Sequence, residues 1–198
     1  MTLSHMSILR KGAYRRASWK NNLGYTDEIA IFPPGSSLTK GDFLWRLSSA
    51  RIEHASAFSL FPAHDRVLVV LKGEGIRMIH SLEEGEPEDT SEVLPLQPYE
   101  FPGDIKSRCE LLGGPITDFS LFMRTGEVGA DVRTQEIEPN QEYTWNAEGQ
   151  WNFAYVIEGA LDAEIGSLEE GDTLSTPQNR ACFRASTDGA IVLLVALN

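Results

Sequence analysis

Cysteine is scarce in this 198-residue chain: Cys109 and Cys182 stand alone and far apart. That excludes a disulfide framework and the paired spacing of a zinc site, and a reducing cytoplasm is the expected compartment. Cationic residues are few as well, with 17 Lys and Arg against 29 Asp and Glu and a formal net charge of −12. Such a balance excludes nucleic acid as a partner, because phosphates need a basic surface. The basic stretch over residues 10–20 reads as a solvated first strand and loop. No apolar run approaches the roughly 20 residues of a membrane span, so no membrane partner is expected. The start has no apolar segment of the kind a signal peptide needs.

Motifs for common chemistries are missing too. There is no Gly-x-Ser-x-Gly elbow for a serine nucleophile. Gly73, Glu74 and Gly75 form an expected turn and not a phosphate loop, since no helix follows to receive an anion. Cys182, next to Phe183, is expected in the core.

What the chain does contain is one structural phrase said twice. Arg66-Val67-Leu68-Val69-Val70-Leu71-Lys72-Gly73 is echoed by Asn152-Phe153-Ala154-Tyr155-Val156-Ile157-Glu158-Gly159. Each is an apolar run ending on a glycine expected at a turn. The second copy continues through Gly166, Gly171, Asp172 and Pro177 as short strands punctuated by turn residues. Helix signals are few and strands recur throughout, and a repeat of about 90 residues suits two fused barrels. The expected fold is all-β: a bicupin of two fused jelly-roll β-barrels. Residues 7–125 are expected to form an N-terminal barrel with a ligand pocket. Residues 126–198 form the second, with completion by strands exchanged from the first half left open. That second barrel is expected to supply packing, and a homodimer interface stays open.

Alternation assigns side chains to faces. Over residues 25–31 it puts Thr26, Glu28 and Ala30 together. Over residues 43–50 it sets Phe43, Trp45 and Leu47 opposite Leu44, Arg46 and Ser48. Residues 58–61 read as a short strand with Ser59 and Phe61 on one face, stopped by Pro62. Residues 67–71 read as a strand buried on both sides. Residues 83–92 are acidic and turn-prone, which predicts a solvated loop, and the three prolines within residues 95–103 predict a rim segment. Residues 125–131 join the halves, and the very apolar residues 191–197 complete the core.

A metal-holding cupin needs about two histidines on one strand face, a nearby carboxylate and a third histidine on a later strand. His5, His54, His64 and His80 include no His-x-His pair, and the second half has no histidine. No metal and no cofactor is therefore expected; His54 and His64 flank turns and are expected at the surface. What remains is polar residues on inward faces. A buried arginine is costly unless a carboxylate accepts its donors. Either Glu28 pairs with Arg46 or Arg66, or one guanidinium is left to bind a small carboxylate bidentately. Trp19 either walls such a pocket or fills core. The candidate ligand-binding residues are Trp19, Asn21, Thr26, Glu28, Arg46, Ser48, Ser59, Phe61 and Arg66, and no catalytic residue is assigned.

Trp19, Lys20 and Asn21, then Gly24, Thr26 and Glu28, then Trp45, Arg46 and Ser48, then Phe58, Ser59, Phe61, Pro62, Asp65 and Arg66 resemble the HutD/Ves family. Phe101-Pro102-Gly103-Asp104 and Gly114, Asp118, Phe119 and Arg124 follow in the same order. The resemblance implies a metal-independent bicupin of bacterial histidine utilisation. Its implied role is that of a non-catalytic accessory or regulatory binder of a small carboxylate such as urocanate or a formylated or formiminated glutamate. A metal-independent hydrolase or isomerase with Glu28 or His64 as base stays open beside it, as does a purely structural role. Four features depart from the family pattern. Asn22-Leu23 replaces a glycine-rich turn, Asp27 a basic residue, Ala63 a glycine and Ser120 an asparagine. Asp27 is expected to alter the charge at the pocket rim.

Overall fold

Aromatic and β-branched residues spaced two apart, broken by glycine and proline, favour strands over any other regular structure. The computed structural model describes residues 5–18, 24–81, 88–177 and 180–198, and their regular structure is strand apart from one short 3-10 turn at Lys11–Ala13. β1 (Ser7–Leu9) comes first. Then follow β2 (Arg15–Ser18), β3 (Gly24–Phe32), β4 (Trp45–Ile52), β5 (Ser56–Ala57), β6 (His64–Lys72), β7 (Ile76–Ser81), β8 (Asp89–Val93), β9 (Pro98–Pro102), β10 (Lys106–Leu111) and β11 (Ile116–Arg124). The chain closes with β12 (Ala130–Ile137), β13 (Glu142–Asn146), β14 (Trp151–Ala163), β15 (Gly166–Glu169), β16 (Thr173–Thr176) and β17 (Arg180–Leu197). No helix among the described residues is long and apolar enough to cross a membrane.

Two compact units result: Arg15–Val128, and Met1–Tyr14 with Gly129–Asn198. In the first, a six-stranded antiparallel sheet runs β2-β3-β4-β11-β6-β9 and a four-stranded one runs β5-β10-β7-β8. Leu68, Val70, Ile76, Met78, Phe101, Cys109 and Ile116 share a core there. In the second, one sheet runs β1-β16-β14-β17-β12, with β13 added to β17 and β15 to β14. Trp145, Val156, Leu174, Phe183, Val192 and Leu194 fill its core. Residues 7–14 were expected in the N-terminal barrel, but β1 pairs with β16. Asp172 reinforces that pairing, taking the Arg10 guanidinium at 2.7 Å and the Lys11 amide at 2.9 Å.

Several expectations change once pairing is known. β8 occupies residues assigned to an acidic loop, because residues 89–93 pair with β7; residues 82–87 lie outside the described residues. Residues 58–61 are not a strand. Only Ser56 and Ala57 pair with β10, and Phe58 and Phe61 donate their amides to the Ser107 and Gly103 carbonyls instead. Cys182 is exposed, since alternation along β17 turns Ala181 and Phe183 inward and Cys182 outward. The two echoed glycines also differ. Gly73 (φ 107°) follows β6 at a turn, whereas Gly159 (φ 77°) lies inside β14, where the register with β17 shifts.

Gly159 is required there by close approach as well as by φ. A Cβ at this position would sit 2.2 Å from the Gly189 carbonyl oxygen. Gly159→Ala is expected to lower stability by more than about 1 kcal/mol in urea unfolding. Gly12→Ala, with nothing within 4 Å of its Cβ, should change it by no more than about 0.5 kcal/mol.

Candidate functional site

Period-two geometry on three neighbouring strands builds one polar surface. On β4, Arg46, Ser48, Ala50 and Ile52 point the same way; on β11, Asp118, Ser120 and Phe122 do; Arg66 starts the matching face of β6. Register then sets rows across the sheet. Thr26, Ala50, Asp118 and Val70 form one, and Glu28, Ser48, Ser120 and Leu68 form the next. In the last, Phe122 stands between Arg46 and Arg66, with Phe101 beyond. This surface is the floor of a cavity of about 520 Å³ whose wall comes from Leu38, from Ala55 to Ser59 and from Phe61.

The two candidate arginines meet different fates. Arg46 is 5% exposed and fully engaged: its Nε donates to Glu28 Oε2 at 2.8 Å and its Nη1 to Ser48 Oγ at 2.9 Å. Glu28 also takes the Arg15 guanidinium at 2.9 Å. Arg66 is equally buried, yet its Nε has no hydrogen-bond partner. Its guanidinium instead lies over three rings, 4.4 Å from Phe122, 4.7 Å from Phe58 and 4.9 Å from Phe101. Burial pushes its pKa down to about 10, opposed by Asp118 and aided by Arg46. That value still leaves Arg66 cationic at neutral pH. The cavity therefore holds a charged group whose Nε donor has no acceptor among the described residues.

Asp118 is the other buried charge, 2% exposed. Burial raises its pKa to about 7, against the Ala50 amide, which donates to Oδ1 at 2.9 Å, the Arg66 charge and the Ser120 hydroxyl. Asp118 was not among the ligand-binding candidates, and neither were Ser120, Phe122 or Phe58. Alternation from Asp118 through Ser120 to Phe122 carries the signal. Seeing it requires knowing that β11 lies between β4 and β6.

Of the remaining candidates, Thr26, Ser48, Ser59 and Phe61 line the cavity, and Phe61 packs edge-on to Phe122 with centroids 4.8 Å apart. Glu28 acts through Arg46. Trp19 and Asn21 lie outside the described residues, as does the Asn22-Leu23 turn. Asp27 is not at the rim, because it faces away from the cavity and grips Arg16 bidentately at 2.7 and 2.8 Å. His64 is buried and not at the surface: its ring nitrogens face the carbonyls of Pro62 and Phe43 at 3.1 and 3.2 Å. His80 is also buried, between Ser107 Oγ and the Tyr99 hydroxyl. Among the described residues no three His, Cys, Asp or Glu side chains converge so as to hold a metal ion.

The family model for HutD matches residues 11–193. A curated relative, the uncharacterized 21.2 kDa protein in the hutC 3′ region of Pseudomonas putida, is 40% identical over 120 residues. That alignment covers 61% of this chain and 59% of the relative, so the chain spans about three fifths of the relative's length. HutD from Pseudomonas fluorescens SBW25, solved in a formate condition, is 30% identical, covers 98% of each chain and superposes with a TM-score of 0.74. The conserved protein of unknown function PA5104 from Pseudomonas aeruginosa PAO1 is 28% identical over 98% of this chain and 100% of its own, with a TM-score of 0.79. YhhW from Escherichia coli, at 9% identity and a TM-score of 0.71, shares the cupin fold alone. The chain belongs to the HutD family, which is associated with histidine utilisation, and its fold is an all-β cupin fold.

Two outcomes follow from the site's geometry. Ala63, two residues beyond the cavity-lining Phe61, holds a left-handed φ of 60°. Ala63→Gly is expected to raise stability by about 0.5–1 kcal/mol in urea melts, by relieving that strain. Asp118 sets a pH dependence. Its folded pKa lies above its unfolded value, so between about 3.8 and about 7 the folded chain keeps a proton that the unfolded chain releases. Stability should fall as pH rises through that window and level off above it. Asp118→Asn should remove this slope when melts of the two proteins are compared across it.

Proposed function

We propose that this HutD-family chain is a non-catalytic binder of a small carboxylate, acting as an accessory or regulatory protein in bacterial histidine utilisation, with the ligand seated on Arg66. The observation that carries the reading is the Arg66 guanidinium: buried, cationic at neutral pH, and with an Nε that has no hydrogen-bond partner among the described residues, in the floor of a cavity of about 520 Å³. Leaving a buried donor unsatisfied costs the folded chain about 1–3 kcal/mol, more for a charged group. An incoming carboxylate would offset that cost with two charge-assisted hydrogen bonds. Phe58, Phe61 and Phe122 would cover the apolar body of the ligand, and Thr26, Ser48, Ser59 and Ser120 offer hydroxyls to its polar parts. Urocanate and N-formylglutamate fit the family's association and carry the required group.

The alternative, a metal-independent hydrolase or isomerase using Glu28 or His64 as base, draws no support from their surroundings. Glu28 is held by two guanidinium groups, and both His64 ring nitrogens face backbone carbonyls outside the cavity.

A thermal-shift screen of histidine-pathway acids tests the proposal. A ligand present at about 100 times its Kd should add about 2.7 kcal/mol of stability, and no shift with any carboxylate would remove the proposal's basis. Substitution should separate the two arginines. Arg66→Met is expected to weaken binding by about 2–5 kcal/mol while leaving the unliganded melting temperature equal or higher. Arg46→Met should instead lower the unliganded melting temperature, because it takes from Glu28 its buried partner.

A further inference from the structure

An anion arriving at Arg66 meets a second buried group, Asp118, in the same cavity wall. The charged and titratable groups around Asp118 come from each strand packed near it. β6 supplies Arg66, which acts on Asp118 by charge; on β4, Arg46 stands two rows away, opposite Phe122, and is bound to Glu28 of β3. From β10 comes Cys109, whose thiol is pushed up by burial and stays neutral. Among the described residues no arginine hydrogen-bonds to Asp118, and its Oδ1 is occupied by the Ala50 amide.

Two ionised carboxylates facing one guanidinium in a buried site repel each other, and one of them takes a proton. A free small acid with an ordinary pKa near 4 keeps its charge far more readily than Asp118, which burial has already raised to about 7. The proton therefore goes to Asp118. Once protonated, Asp118 changes from a rival for Arg66 into a hydrogen-bond donor.

We propose that Asp118 binds the ligand as a carboxylic acid, donating its proton in a hydrogen bond to the ligand carboxylate while Arg66 supplies the charge, so that the site takes monocarboxylates and, at a pH where free Asp118 is ionised, takes up one proton from solvent with each. This rests on the carboxylate-binding reading above and narrows it: of the two acids named there it keeps urocanate, with one carboxylate, and rejects N-formylglutamate, with two. Among the described lining residues a second carboxylate on the ligand would find no spare cation, because Arg46 is balanced by Glu28.

Calorimetric titration of the full chain tests this with benzoate, and with formate as a smaller probe, between about pH 6 and 9 in two buffers of different ionisation enthalpy. Both probes stay ionised over this range, whereas urocanate carries an imidazole that titrates within it. Wild-type affinity is expected to fall about tenfold per pH unit above about pH 7 and to be flat below it, with nearly one proton taken up per benzoate at the alkaline end. Glutarate should bind at least about tenfold more weakly than benzoate. Asp118→Asn, whose amide keeps a donor but cannot titrate, should bind benzoate without pH dependence or proton uptake. Wild-type binding that is flat with pH and free of proton uptake would overturn the role of Asp118 while leaving the carboxylate site standing. Failure of both probes to bind at any pH would overturn the site itself, and glutarate binding as tightly as benzoate would overturn the charge selectivity. The buffer comparison on wild-type protein decides the central point even if the variant does not fold.

Discussion

A buried guanidinium whose Nε finds no acceptor among the described residues is the constraint around which the Arg15–Val128 unit makes sense. Desolvating Arg66 costs several kcal/mol, and stacking over three phenylalanine rings returns roughly 0.5–2 kcal/mol for each contact. The rings keep the cation in place without quenching it, since an aromatic face accepts no proton and forms no bidentate fork. Phe58, Phe101 and Phe122 come from three different segments. The arrangement is therefore a property of the folded sheet and not of any single strand.

The neighbouring arginine shows what satisfaction looks like in the same sheet. Arg46 sits across Phe122 from Arg66 and donates to Glu28 and Ser48. One guanidinium is paired within the sheet, and the Nε of the other has no partner among the described residues. Buried polar groups in folded chains are nearly always paired, so the difference between two equally buried arginines carries more information than the burial of either. Asp118 completes the set: close enough to act on Arg66 by charge, not joined to it by a hydrogen bond, and short of solvent. Together the two groups can exist as a weakly coupled ion pair or as a cation beside a neutral acid. An external anion favours the second state.

Much of this was legible in the residues. Alternation over residues 43–50 placed Arg46 and Ser48 on one face, the apolar run at residues 67–71 became central β6, and proline marked β9 as an edge strand. The acidic partner of Arg46 was also within reach, because Glu28 shares the inward face of its strand. Other features were not legible, for physical reasons. His64 looked like a turn residue until the Phe43 carbonyl, 21 positions earlier, came within 3.2 Å of its ring. Asp118 became a cavity residue only when β11 took its place between β4 and β6. Gly159 looked like a turn glycine until β17 passed so close that no side chain could stand there.

By itself the sequence determined that the chain would be built of strands, where their polar faces lay, and that two arginines would point inward. Local periodicity suffices for that, because alternation is a property of a single strand. Only tertiary structure decided which arginine stayed unsatisfied. Register sets Glu28 opposite Ser48 and beside Arg46, whereas it sets Arg66 between Phe122 and Phe101. Pairing between strands distant in sequence is a choice of the whole fold. It gave one cation a carboxylate and the other only rings.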